Sequence, residues 1–247
     1  MNIGNLASRL FSKVWRFRKQ MSYEAEPFGT HAEFLKIVLH EVKKSSVNDY
    51  FILEIGTGGM SSSILRAHIE NDSHANLISV ESNAAWEDKY RREFEAHPRH
   101  EIIGFKKSSS WLEILESLSE RLVDKEVAIT FIDSAPWSSR TLSAVLFREK
   151  SSYLLIHDCD YFPRENIWGV EREPILYSPN FSTEYGKLSR EKLGSRSYDD
   201  MFTYWLECFP STPGYFTGPP TLVASNILDV RNLEFDGDAI FFTSPSP

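Results

Sequence analysis

Cysteine is nearly absent from this 247-residue chain. Cys159 and Cys208 are the only two, far apart, with no CxxC pair and no His/Cys cluster at zinc spacing. A disulfide framework and a zinc module are thereby excluded, and a reducing compartment, most simply the cytoplasm, is the expected setting. Long apolar runs are missing too: nothing approaches the ~18 consecutive apolar residues that a membrane span needs. Basic charge is in deficit, with a net charge of -8, which argues against a nucleic-acid partner gripped through a broad basic face. Internal repeats and low-complexity tracts are absent. What is present is 41% hydrophobic residues, enough for one large domain with a proper core.

The charge is unevenly spread. Residues 1–23 carry Arg9, Lys13, Arg16, Arg18 and Lys19 and no acidic residue, so -8 less these five positive charges leaves -13 for the remainder. Leu6, Leu10, Val14 and Phe17 recur at helical spacing opposite the basic residues. Without an unbroken apolar core or a small-residue cleavage site, the segment does not read as a secretory signal. Residues 1–28 are therefore expected to form a basic amphipathic arm that packs on its own domain or on a second copy in a homodimer, a transit peptide or membrane-surface helix being the other reading. Residues 29–247 are expected to form a single domain.

Within it, "THAEFLKIVLHEVKK" (30–44) puts Phe34, Ile37, Val38 and Val42 on one helical face, behind a threonine able to cap it. Strand and helix patterns then alternate. "YFILEIG", "ANLISVES", "HEIIGFK", "EVAITFIDS" and "SYLLIHDCD" read as strands, and the segments between them as helices, the one after "ANLISVES" stopping before Pro98. Near-continuous apolar strands interleaved with helices predict an α/β fold: a doubly wound, mostly parallel sheet in a three-layer α/β/α arrangement. From 160 to 220 the prolines at 163, 174, 179, 210, 213, 219 and 220 predict an irregular cover over the sheet's rim. "TLVASNI" and "DAIFFTS" are expected to be antiparallel edge strands closing the sheet.

In an open parallel sheet, ligands bind beyond the carboxyl ends of the strands, where strand order reverses. The turn after the first strand carries Gly56, Gly58 and Gly59, so a ligand can approach the backbone there. Strand two ends in Glu81, about 25 residues on, where a carboxylate can accept hydrogen bonds from both hydroxyls of a ribose. "KKSSSW" after strand three, with Ser109 and Trp111, offers polar and aromatic groups for an adenine ring, and strand four ends in Asp133. One rim with these four features is most economically a pocket for an adenosine; a tight connection and unrelated helix caps would explain each residue singly.

"LEIGTGG", followed by "VES", "FIDS" and "LLIHDCD", resembles the class I S-adenosylmethionine-dependent methyltransferases over roughly residues 47–160. A nicotinamide site would space its glycines GxGxxG, and position 61 is serine. The resemblance implies a Rossmann-like fold that binds S-adenosylmethionine. Glu54 and the backbone of Gly56, Thr57 and Gly58 would handle the amino-acid end, with Ser62 near the methionine carboxylate and Glu81 at the ribose. The pattern is most similar to metal-assisted small-molecule O-methyltransferases, which implies Mg²⁺ between Asp133 and Asp158. Here Cys159 replaces the second member of an acidic pair and Asp160 comes one residue late; a thiol suits magnesium poorly.

Without a metal, His157 is the candidate base for the acceptor hydroxyl, its unperturbed pKa lying near 6.5; a core histidine is the structural alternative. Arg140 can fork onto a substrate carboxylate or phosphate, or pair with an acidic neighbour on its own helix. The expected function is methyl transfer to a hydroxyl of a small molecule, with no nucleic-acid partner. A non-catalytic binding protein of the same fold, or a nucleotide-sugar or nicotinamide enzyme using the same rim, are the alternatives.

Overall fold

The computed structural model describes residues 31–94, 96–105, 109–157, 159, 201–209, 221–234 and 240–243. The elements run α1 (Ala32–Ser45), β1 (Tyr50–Ile55), α2 (Gly59–Asn71), β2 (Ala75–Glu81), α3 (Ala84–Glu93), β3 (His100–Gly104), α4 (Trp111–Arg121), β4 (Val127–Ile132), α5 (Trp137–Phe147), β5 (Ser151–His157), β6 (Tyr204–Phe209), β7 (Thr221–Ser225) and β8 (Ile240–Thr243). Eight strands form one sheet in the order β3-β2-β1-β4-β5-β7-β6-β8. The pairs β2–β3, β1–β2, β1–β4 and β4–β5 are parallel, and β5–β7, β7–β6 and β6–β8 antiparallel. This is the doubly wound, Rossmann-like α/β fold, and its strand order reverses between β1 and β4.

Strand alternation sorts the core into two faces. Tyr50 and Ile52 of β1, Ala75 and Leu77 of β2, Ile129 and Phe131 of β4, and Tyr153 and Leu155 of β5 pack with α1 and α2. Leu53, Ile55, Ile78 and Val80 point the other way, toward α4 and α5. Helix α1 buries Phe34, Leu35, Val38, Leu39 and Val42 on the first face, and has no side-chain cap at its start. Each such side chain contributes about 1.5–3 kcal/mol on full burial, against about 1 kcal/mol for a cap, so packing holds this helix in place. By contrast, α4 starts with a capping box, the Ser110 hydroxyl accepting from the Glu113 amide and the Glu113 carboxylate accepting from the Ser110 amide.

Three expectations need correction. The stretch 160–220 is not irregular throughout: β6 occupies Tyr204–Phe209, between β7 and β8. Its aromatic, apolar sequence YWLECF suits a strand, but the prolines crowding 210–220 hid it. Helix α3 ends at Glu93, four residues before the position at which a stop ahead of Pro98 would put it; an isolated bridge pairs His97 with His100 and turns the chain into β3. Strands β7 and β8 are antiparallel as expected, but only β8 is at the edge; β7 lies inside the sheet, between β5 and β6. Thr30, the basic arm and the segments 160–200 and 210–220 lie outside the described residues, and so do the homodimer and cover expectations that rest on them. No described helix is long and apolar enough to cross a membrane.

Candidate functional site

The alternation that fills the α1/α2 face with apolar side chains continues past the last apolar residue of each strand. On β1 the next residue on that face is Glu54, on β2 it is Ser79 and then Glu81, past β4 it is Asp133, and on β5 it is His157. Parallel register sets Glu54 beside Ser79 and Ile132 beside Ile156. A row of polar groups therefore lies at the carboxyl ends of the strands, under α1 and α2, across the point where strand order reverses.

Gly56 makes the turn out of β1 with φ +89°, and a Cβ there would lie 2.6 Å from the Asp133 carbonyl oxygen and the Ser134 Cα. Its conformation and the adjoining backbone both require glycine. Past it, a Cβ on Gly59 would meet nothing within 4 Å, so this loop leaves open space above the start of α2.

Glu81 is 7% exposed. One carboxylate oxygen accepts from both the amide (3.1 Å) and hydroxyl (2.5 Å) of Thr57, and the other accepts from the Asn83 amide at 2.7 Å. A carboxylate offers about four acceptor positions, so the carboxylate pins the glycine-rich loop to β2 and keeps one position for a further donor.

Glu54 and Ser62 are turned inward. Glu54 is fully buried, one oxygen accepting from the hydroxyls of Ser61 (2.7 Å) and Ser62 (2.6 Å) and the other from Ser79 at 2.7 Å. The Ser79 oxygen also lies 3.0 Å from His100 Nε2, and His100 Nδ1 lies 3.4 Å from an Arg66 guanidinium nitrogen. With the serine proton given to Glu54, His100 must donate from Nε2 and accept at Nδ1, as a neutral ring does. Burial, with the charges of Arg66 and His97, holds His100 at about 4. Burial pushes the Glu54 carboxyl up to about 7 even against its three hydroxyl donors. A contact between Ser62 and a methionine carboxylate would first have to break the bond to Glu54.

Trp111 is 4% exposed. Its indole N–H donates to the Ala135 carbonyl at 3.0 Å, and its ring meets Phe105 edge to face at 4.7 Å. It braces the loop after β4 from the opposite face of the sheet. Ser109, just before the helix, is half-buried.

At the ends of β4 and β5, the buried Arg140 donates to the Ser134 carbonyl at 2.8 Å, to the His157 carbonyl, and to Asp133 Oδ1 at 2.7 Å. Arg140 thus pairs with an acidic residue at the end of β4 rather than with one on its own helix. His157 Nδ1 lies 3.3 Å from the same Asp133 oxygen. Burial raises the Asp133 carboxyl, but the nearby His157 ring and the Arg140 guanidinium outweigh it, and the carboxyl sits below its ordinary range. The arrangement is a close Asp–His pair: Nδ1 faces the carboxylate without closing a hydrogen bond, which leaves proton acceptance to Nε2.

Of the two magnesium ligands expected, only Asp133 is among the described residues. Asp133 already faces a guanidinium, no three His, Cys, Asp or Glu among the described residues are grouped to hold an ion, and Asp158 lies outside the described residues. Sequence reasoning missed His31, which stands at the start of α1 with its ring 4.6 Å from His157, edge to face, and 4.9 Å from Phe131. It also missed Ser61 and Ser79; the alternation two residues before Glu81, beside Glu54, was the available signal for Ser79, whereas nothing local marked His31.

Neither a scan against protein-family models nor a search of curated proteins finds a match. Solved structures do match. The chain is 15% identical to a candidate caffeoyl-CoA O-methyltransferase from Staphylococcus aureus, covering 77% of this chain and 81% of that one at a TM-score of 0.46. It is 14% identical to the CurJ carbon methyltransferase (79% of this chain, 53% of that one, TM-score 0.47). It is 13% identical to the plantazolicin methyltransferase BamL, solved with SAH (87% and 90%, TM-score 0.41). Likenesses this distant leave the chemistry to be argued from the residues.

Proposed function

We propose that this protein binds S-adenosylmethionine at the carboxyl edge of its parallel strands and transfers the methyl group to a hydroxyl of a small molecule. The observation that carries this reading is the juxtaposition, at one reversal point, of an open glycine turn, a rim carboxylate and a close Asp–His pair. S-adenosylmethionine supplies, when bound, a methyl group already activated on a positively charged sulfur.

The chain's own part is to bind, orient and deprotonate. Glu81 keeps an acceptor position for a ribose hydroxyl, while Thr57 and Asn83 hold the carboxylate still. Gly59 leaves room for the ligand over the loop, and Ser109 stands beyond β3 on the adenine side. Glu54 acts from beneath, bonding the first turn of α2 to β1 and β2 so that the glycine loop keeps its shape. His157 takes the proton of the acceptor hydroxyl at Nε2, and Asp133 stabilises the imidazolium so formed, as the carboxylate of a catalytic triad does. Arg140 holds Asp133 in place.

Calorimetric titration with S-adenosylhomocysteine, NAD⁺ and a uridine diphosphate sugar tests the reading. Binding confined to S-adenosylhomocysteine supports it, and preference for either other ligand overturns it. Binding of S-adenosylhomocysteine by a protein that methylates no hydroxyl compound would favour the non-catalytic alternative.

A further inference from the structure

His31 presents an unsettled account. It is 3% exposed, and neither ring nitrogen has a hydrogen-bond partner among the described residues. Leaving a buried polar group unmatched costs about 1–3 kcal/mol, and such groups in folded proteins call for a reason. Apolar packing would be served as well by phenylalanine, since the ring lies against Phe131. It also lies edge to face with His157, the residue assigned to take the acceptor's proton.

Position adds a second constraint. Helix α1 is anchored by five buried apolar side chains, so His31 is held at the carboxyl ends of β4 and β5 by rigid structure rather than by a loop. Its ionisation is suppressed: burial and the neighbouring His157 bring it to about 3, against a smaller opposing pull from Asp133. A ring that stays neutral carries one N–H donor and one acceptor nitrogen. It cannot serve as the base, but it can donate to an oxygen that gains negative charge, and such a bond strengthens as the charge develops.

We propose that His31 contacts the acceptor, donating a hydrogen bond from its neutral imidazole to the same oxygen whose proton His157 removes. The acceptor's O–H bond breaks and its proton passes to His157 Nε2. The freed oxygen pair forms the new O–CH₃ bond, and the pair of the broken C–S bond stays on sulfur. His31 lowers the cost of the charge on oxygen in between. The assignment rests on the methyl-transfer reading for the identity of that oxygen, and on the geometry of the two rings for its place.

A high-resolution crystal structure of the protein alone and with S-adenosylhomocysteine tests it, because water takes the acceptor oxygen's place when no acceptor is supplied. The expected result is one ordered oxygen within about 3.2 Å of a His31 ring nitrogen and of His157 Nε2. His31→Phe should lose that oxygen and His31→Gln, which keeps a donor, should retain it, with S-adenosylhomocysteine affinity within twofold of the parent in both. Both His31 nitrogens bonded to protein groups, or no oxygen shared by the two rings, overturns the proposal. Failure of the parent to bind S-adenosylhomocysteine would overturn the methyl-transfer reading alone, since the shared oxygen is also read in the ligand-free crystal.

Discussion

Replacing Glu54 by glutamine should remove a pH dependence of stability that the parent protein shows between pH 4.5 and about 7. The carboxyl is fully buried and sits at about 7 in the fold, against 4.5 when unperturbed. Over that interval the folded chain holds a proton that the unfolded chain has released. Stability from this group is thus fully present below pH 4.5 and lost as pH rises through about 7. The difference between 4.5 and about 7 corresponds to about 3 kcal/mol.

Other groups act in the same range with the opposite sign. His31, held at about 3, and His100, held at about 4, remain neutral in the fold while the unfolded chain protonates near 6.5. Their contribution is present above pH 6.5 and lost on acidification. It is shared by parent and variant, so the difference between the two isolates Glu54. Urea unfolding of both proteins at half-unit steps from pH 4.5 to 8 is the assay. The parent should lose about 3 kcal/mol relative to Glu54→Gln across that range. Parallel stability profiles would refute the assignment of a buried, titrating carboxyl at this position.

Gly56→Ala and Gly59→Ala should part company in thermal unfolding. The first meets backbone at 2.6 Å with φ +89° and should cost more than about 1 kcal/mol, while the second meets nothing within 4 Å and should be close to neutral in stability. Arg140→Met leaves Asp133 without its guanidinium and should destabilise by about 3–5 kcal/mol in the same assay. Arg140→Lys should recover only part, because a single ammonium cannot serve acceptors on both strand ends with a planar fork. Calorimetric titration with Mg²⁺ should show no binding that Asp133→Asn abolishes; such binding would restore the metal-assisted reading.

The fold was legible because period-2 and helical patterns are strong in the first 157 residues, where each buried strand is bounded by turn residues. Strand β6 was not, because the prolines of 210–220 blurred a six-residue apolar run into a loop. At the site, Gly56, Glu81, Asp133 and His157 were marked by their place at strand ends. Side-chain direction was less visible. Glu54 and Ser62 stood in the right motif, but whether a carboxylate faces a ligand or three serines is decided by Ser61 and Ser79, one of them on a neighbouring strand. Trp111 read as an aromatic wall, yet α4 turns it inward to the Ala135 carbonyl. His31 lies 126 residues before His157 in sequence, and only the packing of α1 across the sheet brings the two rings together.

The central claim is that the rim beside the glycine turn holds the ribose of an S-adenosyl ligand through Glu81. Calorimetry of S-adenosylhomocysteine binding to the parent and to Glu81→Ala tests it most directly. A hydrogen bond to a charged group contributes about 1.5–3 kcal/mol, so affinity should fall about 10- to 100-fold with the protein still folded by circular dichroism. Equal affinity in the two proteins would contradict the ribose assignment, and no binding to the parent would contradict the function proposed for the site.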